Sequence, residues 1–560
     1  MPWKSRWQVD IPTCSLPTFL LKSPTANLSK KPILIDATHP SYALSLASLR
    51  LWSQRLAAGL HQHGFAPQDR LLLCSGNSIL FPVVLMGTIM AGGIFTGANP
   101  ACVARELAYQ IKDSGAKIVL AAAGSLNTVL EAAEQCGLGS QCVFVIDSGY
   151  ETLEDKGQAV GTVRHWSELL VSPSLAVGFA WPELSHEEQR DTTAVLNYSS
   201  GTTGLAKGVQ ITHRNYIANC IQANYLSLLG ENIEAKIART RHLSVLPMYH
   251  AYGQTTFCVN AVALGTPVFI MQKYDFITML TYIQKLRITT LALVPPILLA
   301  FTKRSETRQF DLSSVEVVKC SAAPLGTESK KEFERLWPPG KMNCKQGWGM
   351  TEVTSSACGL ESDAIADDAT VGELNPNLEA MIVDDNGREV QVGDRGDFWI
   401  RGPNVMKGYW NKPDQTAETI SKDGWLMTGD IAYRNQEGRI YIVDRKKDLI
   451  KVKGNQVAPA ELEALLLEHA AIQEVAVIGI TRYGVELPRA YVVKRDDVRC
   501  SEEDIVKWLA LRVTRHKRLT GGVRLLSNLP RNASGKLLRK VLCALAADEN
   551  VERGEPESKL

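Results

Sequence analysis

Between about residue 45 and residue 300, short apolar runs alternate with stretches of helical pattern, and this rhythm admits few architectures. The runs Arg70–Cys74, Lys117–Leu120, Cys142–Ile146, Leu243–Leu246 and Pro267–Ile270 are nearly continuous in apolar character. Strands of that kind are buried on both faces, so the alternation predicts β-α-β units and largely parallel sheets, an α/β class. From Val371 to Ile442 the texture changes to shorter alternating strands, with Asp385-Asn-Gly387 and Asn435-Gln-Glu-Gly438 as hairpin signals. After Asp444 a compact α+β segment follows. It has a helix opened by Pro459, a strand at Val475–Gly479, and a helix begun by Ser501 with Asp504 as capping partner. At 560 residues the chain exceeds what one hydrophobic core supports, and at least two domains are expected.

Composition excludes more than it selects. With 45% apolar and 21% charged residues the usage is ordinary for a globular protein, and a net charge of +2 gives no global field for nucleic acid or an anionic membrane. The 12 cysteines show no C-x-x-C pair and no zinc spacing, and Cys74, Cys258 and Cys320, among apolar neighbours, are expected to be reduced core thiols. Ile79 to Ala98 carries no charge and is long enough to cross a bilayer at about twenty residues. Pro82, the glycines 87, 92, 93 and 97, and the lack of an aromatic belt or flanking basic cluster favour a buried helix instead. Met1 to Asp10 has no apolar core for a signal peptide, so a soluble, unsecreted protein is expected. Ser558-Lys559-Leu560, after a charged segment from Asp548 to Glu557, is the tripeptide read by the peroxisomal import receptor, and a peroxisomal location is expected.

The strongest functional feature is Tyr198-Ser-Ser-Gly-Thr-Thr-Gly-Leu-Ala-Lys-Gly-Val209. Its glycines let a polyanion approach the main chain, Ser199, Ser200, Thr202 and Thr203 supply hydroxyl donors, and Lys207 a positive charge. The spacing does not fit a Walker-A loop. Gly, Ser and Thr clusters also mark ordinary surface turns, but a strand at Thr193–Tyr198, another at Val209–Thr212 and a helix from Arg214 to Leu228 would hold this loop in place.

With its flanks, the loop resembles the phosphate-binding signature of the adenylate-forming superfamily of acyl-CoA synthetases, adenylation domains and luciferases. Pro247-Met-Tyr-His-Ala-Tyr252, Gln346-Gly-Trp-Gly-Met-Thr-Glu352, Thr428-Gly-Asp430, Asp444-Arg-Lys-Lys-Asp-Leu-Ile-Lys-Val-Lys-Gly454 and Pro530-Arg-Asn-Ala-Ser-Gly-Lys536 match further family blocks in order, over nearly the whole chain. Met271-Gln-Lys-Tyr274, Leu293-Val-Pro-Pro296, Ala322-Ala-Pro-Leu325 and Gln456-Val-Ala-Pro-Ala-Glu-Leu-Glu463 are closest to the 4-coumarate:CoA ligase-like branch. The resemblance implies a large N-terminal domain (1–443) of two α/β subdomains plus a β-rich subdomain. A hinge (444–447) would join it to a small mobile α+β C-terminal domain (448–547), followed by a tail (548–560).

It also implies ATP, Mg²⁺ and coenzyme A as co-reactants, and a role for each matching residue. Ser199, Ser200, Gly201, Thr202, Thr203 and Lys207 would hold phosphates, Thr351 the α-phosphate, and Glu352 the metal. Asp430 and Arg445 would hold the ribose, Trp348, where relatives have Tyr or Phe, would stack on adenine flanked by Ala322 and Ala323, and Gln346 and Gly347 would also bind the nucleotide. Lys536 would touch both the substrate carboxylate and the α-phosphate. Lys447 would be the hinge lysine, Lys451 and Gln456 would contact the adenylate, and Lys273, Lys453 and Gly454 coenzyme A. His250 would line the carboxylate entry, Tyr252, Ser355 and Ser356 the acyl pocket, and Gly349 would keep the acyl tunnel open. Ser355-Ser356 replaces a Pro-Val pair of the plant enzymes, and Ala206 replaces the loop proline. An arylacetic, medium-chain or specialised-metabolite acid therefore fits as well as a hydroxycinnamate. A luciferase-like monooxygenase and an enzyme loading a carrier protein share the first half-reaction. Pro247-Met-Tyr-His in place of a luciferase-type His-His-Gly-Phe segment argues against the first, and Lys273 and Lys453 favour free coenzyme A over the second.

Overall fold

The computed structural model describes residues 2–146, 159–199, 206–366, 369–452, 455–482, 485–495, 498–532 and 535–552. Two large sheets carry most of the chain. The first orders its strands Gly408–Tyr409, Lys207–Thr212, Thr193–Ser199, Ile94–Ala98, Arg70–Cys74, Ala116–Ala122, Val143–Ile146 and Arg164–His165. It is parallel from Thr193–Ser199 onward, and antiparallel where Lys207–Thr212 pairs with its two neighbours. The second orders Lys345–Gln346, Val317–Cys320, Thr290–Leu293, His242–Ser244, Val268–Ile270, Pro32–Asp36 and Ala43–Ser45, parallel except for the last pair.

The apolar runs have the physical origin inferred for them. Along Arg70–Cys74 and Ala116–Ala122, Leu71, Leu73, Ile118 and Leu120 join the core packed by helices Leu46–Gln62 and Leu80–Met90. Leu72, Cys74, Val119 and Ala121 face the other way, into a core with helices Ala104–Ser114 and Leu126–Gln135. Both faces of the sheet are covered, so neither set of positions tolerates charge. The charge-free stretch 79–98 divides into the wholly buried helix Leu80–Met90, a turn with Gly92 at φ 74°, and the buried strand Ile94–Ala98. Among the described residues no helix is long and apolar enough to cross a membrane. Cys74, Cys258 and Cys320 are buried and free.

A five-stranded antiparallel sheet, Trp3–Lys4, Glu379–Val383, Gly396–Arg401, Leu426–Arg434 and Ile440–Arg445, shares the large core through Ile382, Phe398 and Ile400. The segment after it has cores of its own. Its sheet, Ile472–Arg482, Val485–Lys494 and Val523–Leu526, sends Val475, Val477 and Val492 to one face and Ala476, Ile478 and Tyr491 to the other. On the first face lies the hairpin Ile450–Val452/Asn455–Val457 through Ile450, Val452 and Val457. On the second lie Leu537 and the helix Arg539–Glu552 through Leu542 and Ala546. Ser501 and Asp504 form the capping box that their spacing predicts.

Candidate active site

Ser199 and Lys207 face each other across the antiparallel pair that flanks the glycine loop. Ser200, Gly201, Thr202 and Thr203, between them, lie outside the described residues. Lys207 rests its ammonium 4.5 Å from the ring centroid of Tyr409, within cation–π range. The Tyr409 hydroxyl donates to Glu352 Oε1 at 3.0 Å, and the Ser199 hydroxyl donates to the same oxygen at 3.3 Å. Glu352 is 7% exposed, and its second oxygen takes no hydrogen bond among the described residues. Tyr409 is absent from the sequence inference. It is an uncharged residue in a two-residue strand, and only the pairing of Gly408–Tyr409 with Val209–Gln210 brings it to the loop.

Gln346 continues the edge strand beside Cys320 and accepts the Leu325 backbone N–H on Oε1 at 3.1 Å. Gly347 donates its N–H to Cys320, and the Ser321 hydroxyl donates to the Gly347 carbonyl at 2.9 Å. These bonds hold the rim where Ala322 and Ala323 stand exposed, Ala322 in the left-handed region at φ 77°. Trp348 is 8% exposed, packs edge-to-face on Phe398 at 5.1 Å, and donates its indole N–H to Asp430 Oδ2 at 2.9 Å. The other oxygen of Asp430 meets Arg445 Nε at 2.7 Å. Burial raises the Asp430 carboxyl above the usual carboxylate range, and Arg445, Trp348 and Lys536 each oppose that rise. Thr351 and Glu352 follow on a single 3₁₀ turn.

Lys536 reaches this cluster from the C-terminal segment. Asn532 Oδ1 accepts its backbone N–H at 2.8 Å, and Arg531 donates to the Gly535 carbonyl at 2.9 Å. Gly535, at φ 80°, packs against Val294 and Pro296 of the large domain. Lys536 is half-buried rather than exposed, and burial, then Arg445, lowers its pKa. Its charge acts on both Asp430 and His250. Burial, and then Lys536, pushes the His250 imidazole down to about 4, so it is neutral at physiological pH. His250 Nδ1 accepts the Tyr252 backbone N–H at 3.3 Å, which leaves the ring proton on Nε2.

The acyl-pocket residues divide. Tyr252 is only partly accessible, its hydroxyl 3.5 Å from the Lys319 carbonyl. The Ser356 hydroxyl accepts from Asn375 at 3.2 Å. Gly349 has a firmer constraint than an open tunnel, because a Cβ there would lie 1.6 Å from the Ser355 carbonyl oxygen. Sequence reasoning also missed Lys319. Its ammonium donates to the Ser227 hydroxyl at 2.8 Å, and desolvation lowers its pKa.

The remaining expected residues are not gathered here. Lys451 and Gln456 pair across an exposed hairpin, and neither side chain bonds to the cluster around Lys536. The hairpin and the Lys536 segment pack on opposite faces of the small sheet, so the residues expected to act after the small domain swings stand apart from Lys536 in this arrangement. Lys273 and Lys447 are exposed, and Lys453 and Gly454 lie outside the described residues.

Residues 22–410 match the family model of the AMP-binding enzymes, and residues 461–536 the model of the AMP-binding enzyme C-terminal domain. A phenylacetyl-CoA ligase of Aspergillus niger is 35% identical over 97% of this chain and 98% of its own length. The peroxisomal OPC-8:0-CoA ligase 1 of Arabidopsis thaliana is 35% identical over 92% of this chain and 91% of its own. In fold, an anthranilate CoA ligase solved with anthranoyl-AMP superposes with a TM-score of 0.84 at 20% identity, covering 97% of this chain and 99% of that one.

Proposed function

Because the chain belongs to the AMP-binding enzymes, as an adenylate-forming acyl-CoA synthetase, we propose that it joins a carboxylic acid to coenzyme A at the expense of ATP, through an acyl-adenylate. The observation that carries this reading is the buried Asp430 carboxylate held by Trp348 and Arg445, with the charge of Lys536 acting on both Asp430 and His250. In the first step a carboxylate oxygen attacks the α-phosphorus, the α–β phosphoanhydride bond breaks, and pyrophosphate leaves. Two anions must meet, and a desolvated ammonium touching both lowers that barrier more than it would in water. The neutral His250 Nε2–H orients the carboxylate without adding a competing charge. Asp430 and Arg445 hold the ribose, Trp348 offers its face to adenine, and the glycine loop with Lys207 holds the leaving phosphates.

Glu352 suits magnesium, since a buried carboxylate with one oxygen steadied by two hydroxyls, and the other without a hydrogen bond among the described residues, completes a shell made mostly of phosphate and water. The ion supplies charge neutralisation on the phosphates. Tyr409 then acts at one remove by holding Glu352. Tyr409→Phe should raise the half-saturating magnesium concentration of ATP–pyrophosphate exchange about tenfold, with the melting temperature little changed. An unaltered magnesium dependence would assign Tyr409 to packing alone.

In the second step the thiol sulfur attacks the acyl carbon, gives up its proton, and AMP leaves. Lys451, Gln456, Lys453, Gly454 and Lys273 serve that step. The hairpin of Lys451 and Gln456 lies on the face of the small sheet opposite the Lys536 segment, so one rotation about residues 444–447 would exchange these two sets. For the acid, a half-buried Tyr252 in the expected pocket is consistent with an aryl or medium-chain acid. A peroxisomal setting is supported by the Arabidopsis relative; Ser558-Lys559-Leu560 lies outside the described residues.

The test is a panel of arylalkanoic and medium-chain acids, with and without a terminal oxygen, assayed for AMP release with mass analysis of the thioester. Thioester and AMP appearing together for one class support the proposal. AMP without thioester, or no AMP with any acid, refutes it.

A further inference from the structure

We infer that Trp348 is a positioning residue for Asp430, whose indole N–H turns that carboxylate toward the ribose diol and so sets selectivity for ribonucleotides over deoxyribonucleotides. The inference rests on the nucleotide-binding role proposed above for Asp430, and adds a second task for the indole besides stacking.

The face and the edge of Trp348 do different things. Its edge donates to Asp430 Oδ2 at 2.9 Å while Arg445 Nε contacts Oδ1 at 2.7 Å, so the carboxylate is held at both oxygens before any ligand arrives. An ionised carboxylate offers about four acceptor directions, and two remain for hydroxyl donors. Neither the indole nor the carboxylate can readily turn. Trp348 exchanges backbone hydrogen bonds with Cys358, and its ring abuts Phe398, which is fully buried. Phe398 stands on the strand Gly396–Arg401, paired with the strand that carries Asp430. The Thr428 hydroxyl ties these strands together, donating to the Phe398 carbonyl at 2.6 Å and accepting the Asp430 N–H at 3.1 Å.

Without the indole donor, Arg445 is the nearer partner for both oxygens. Guanidinium and carboxylate prefer a two-bond fork, and rotation into it would spend on arginine the lone pairs that the diol needs. Phenylalanine or tyrosine at 348 would keep a flat face for adenine but offer no donor at that edge. Core packing explains the burial of Trp348 but not a donor aimed at a carboxylate that is 3% exposed.

The full-length protein and its Trp348→Phe variant should be titrated calorimetrically with AMP, 2′-deoxy-AMP and 3′-deoxy-AMP, which needs no knowledge of the acid. The wild type should bind AMP at least tenfold more tightly than one of the deoxy forms, the scale of a hydrogen bond to a charged group. The variant should lose about tenfold for AMP and under twofold for that deoxy form, compressing the ratio. Trp348→Tyr serves as the second variant if phenylalanine impairs folding, with the same expectation. A ratio preserved in the variant, or equal weakening of all three nucleotides, overturns the inference. So does a wild type that ignores both hydroxyls. A wild type that fails to bind AMP at all removes the nucleotide site itself, and the inference with it.

Discussion

Lys536→Ala should reduce acid-dependent ATP–pyrophosphate exchange by about a thousandfold, the upper range for removing one preorganised donor from a reacting centre. The charge of the half-buried ammonium acts on both His250 and Asp430, and Arg445, already paired with Asp430, is not free to replace it. Thioester formation from chemically prepared acyl-adenylate should survive, because that step belongs to the opposite face of the small domain. Burial and Arg445 depress the Lys536 pKa, and the charged form is the active one. Adenylation is therefore present below the depressed value and lost as pH rises through it, with an alkaline limb lying below the ordinary lysine value of 10.5. Stability has the opposite dependence, rising with pH where adenylation falls. The unfolded chain binds this proton more tightly than the folded one, so the charged lysine opposes folding until pH exceeds its unfolded value. The alanine variant should then melt no earlier than the wild type. Unchanged pyrophosphate exchange, or equal loss in both half-reactions, would defeat the assignment.

What could be read from the chain, and what could not, follows from how each residue acts. The buried parallel strands were legible because a sheet covered on both faces excludes charge at every position, which Leu71 to Cys74 display in four consecutive residues. The stretch 79–98 was harder, since hydropathy registers one apolar block where the chain makes a helix and a strand. The reversal at Gly92 is a backbone event that hydropathy does not record. Lys207, Glu352, Asp430 and Lys536 could be nominated because their side chains are chemically conspicuous within recognisable motifs. Tyr409 and Lys319 could not. Tyr409 matters only through an antiparallel pairing across some two hundred residues of sequence, and Lys319 is one of many lysines until its depth is known.

Gly349→Ala should cost about 3 kcal/mol or more of stability, the scale reserved for changes that a core cannot absorb, and should abolish nucleotide binding in whatever protein still folds. The added Cβ would lie 1.6 Å from the Ser355 carbonyl oxygen, 2.7 Å from its carbon and 2.9 Å from the Ser356 Cα, all of them main chain. That wall is clamped. Asn404 donates to the carbonyls of Val353 and Ser356 at 3.1 Å each, Asn219 donates to the latter at 2.6 Å, and the Thr354 hydroxyl binds the Asn404 carbonyl at 2.8 Å. Thr354 itself sits at φ 69°, a costly conformation for a β-branched residue, held by these contacts. Since the wall cannot retreat, residue 349 must, and it would drag Trp348 from Asp430 and Glu352 from Tyr409. A glycine whose only task is to leave an acyl tunnel open would behave differently. Alanine would then narrow the range of acids accepted while the melting temperature and AMP affinity stayed as in the wild type. Thermal melts with AMP titration separate these cases, and wild-type values in both would refute the backbone account.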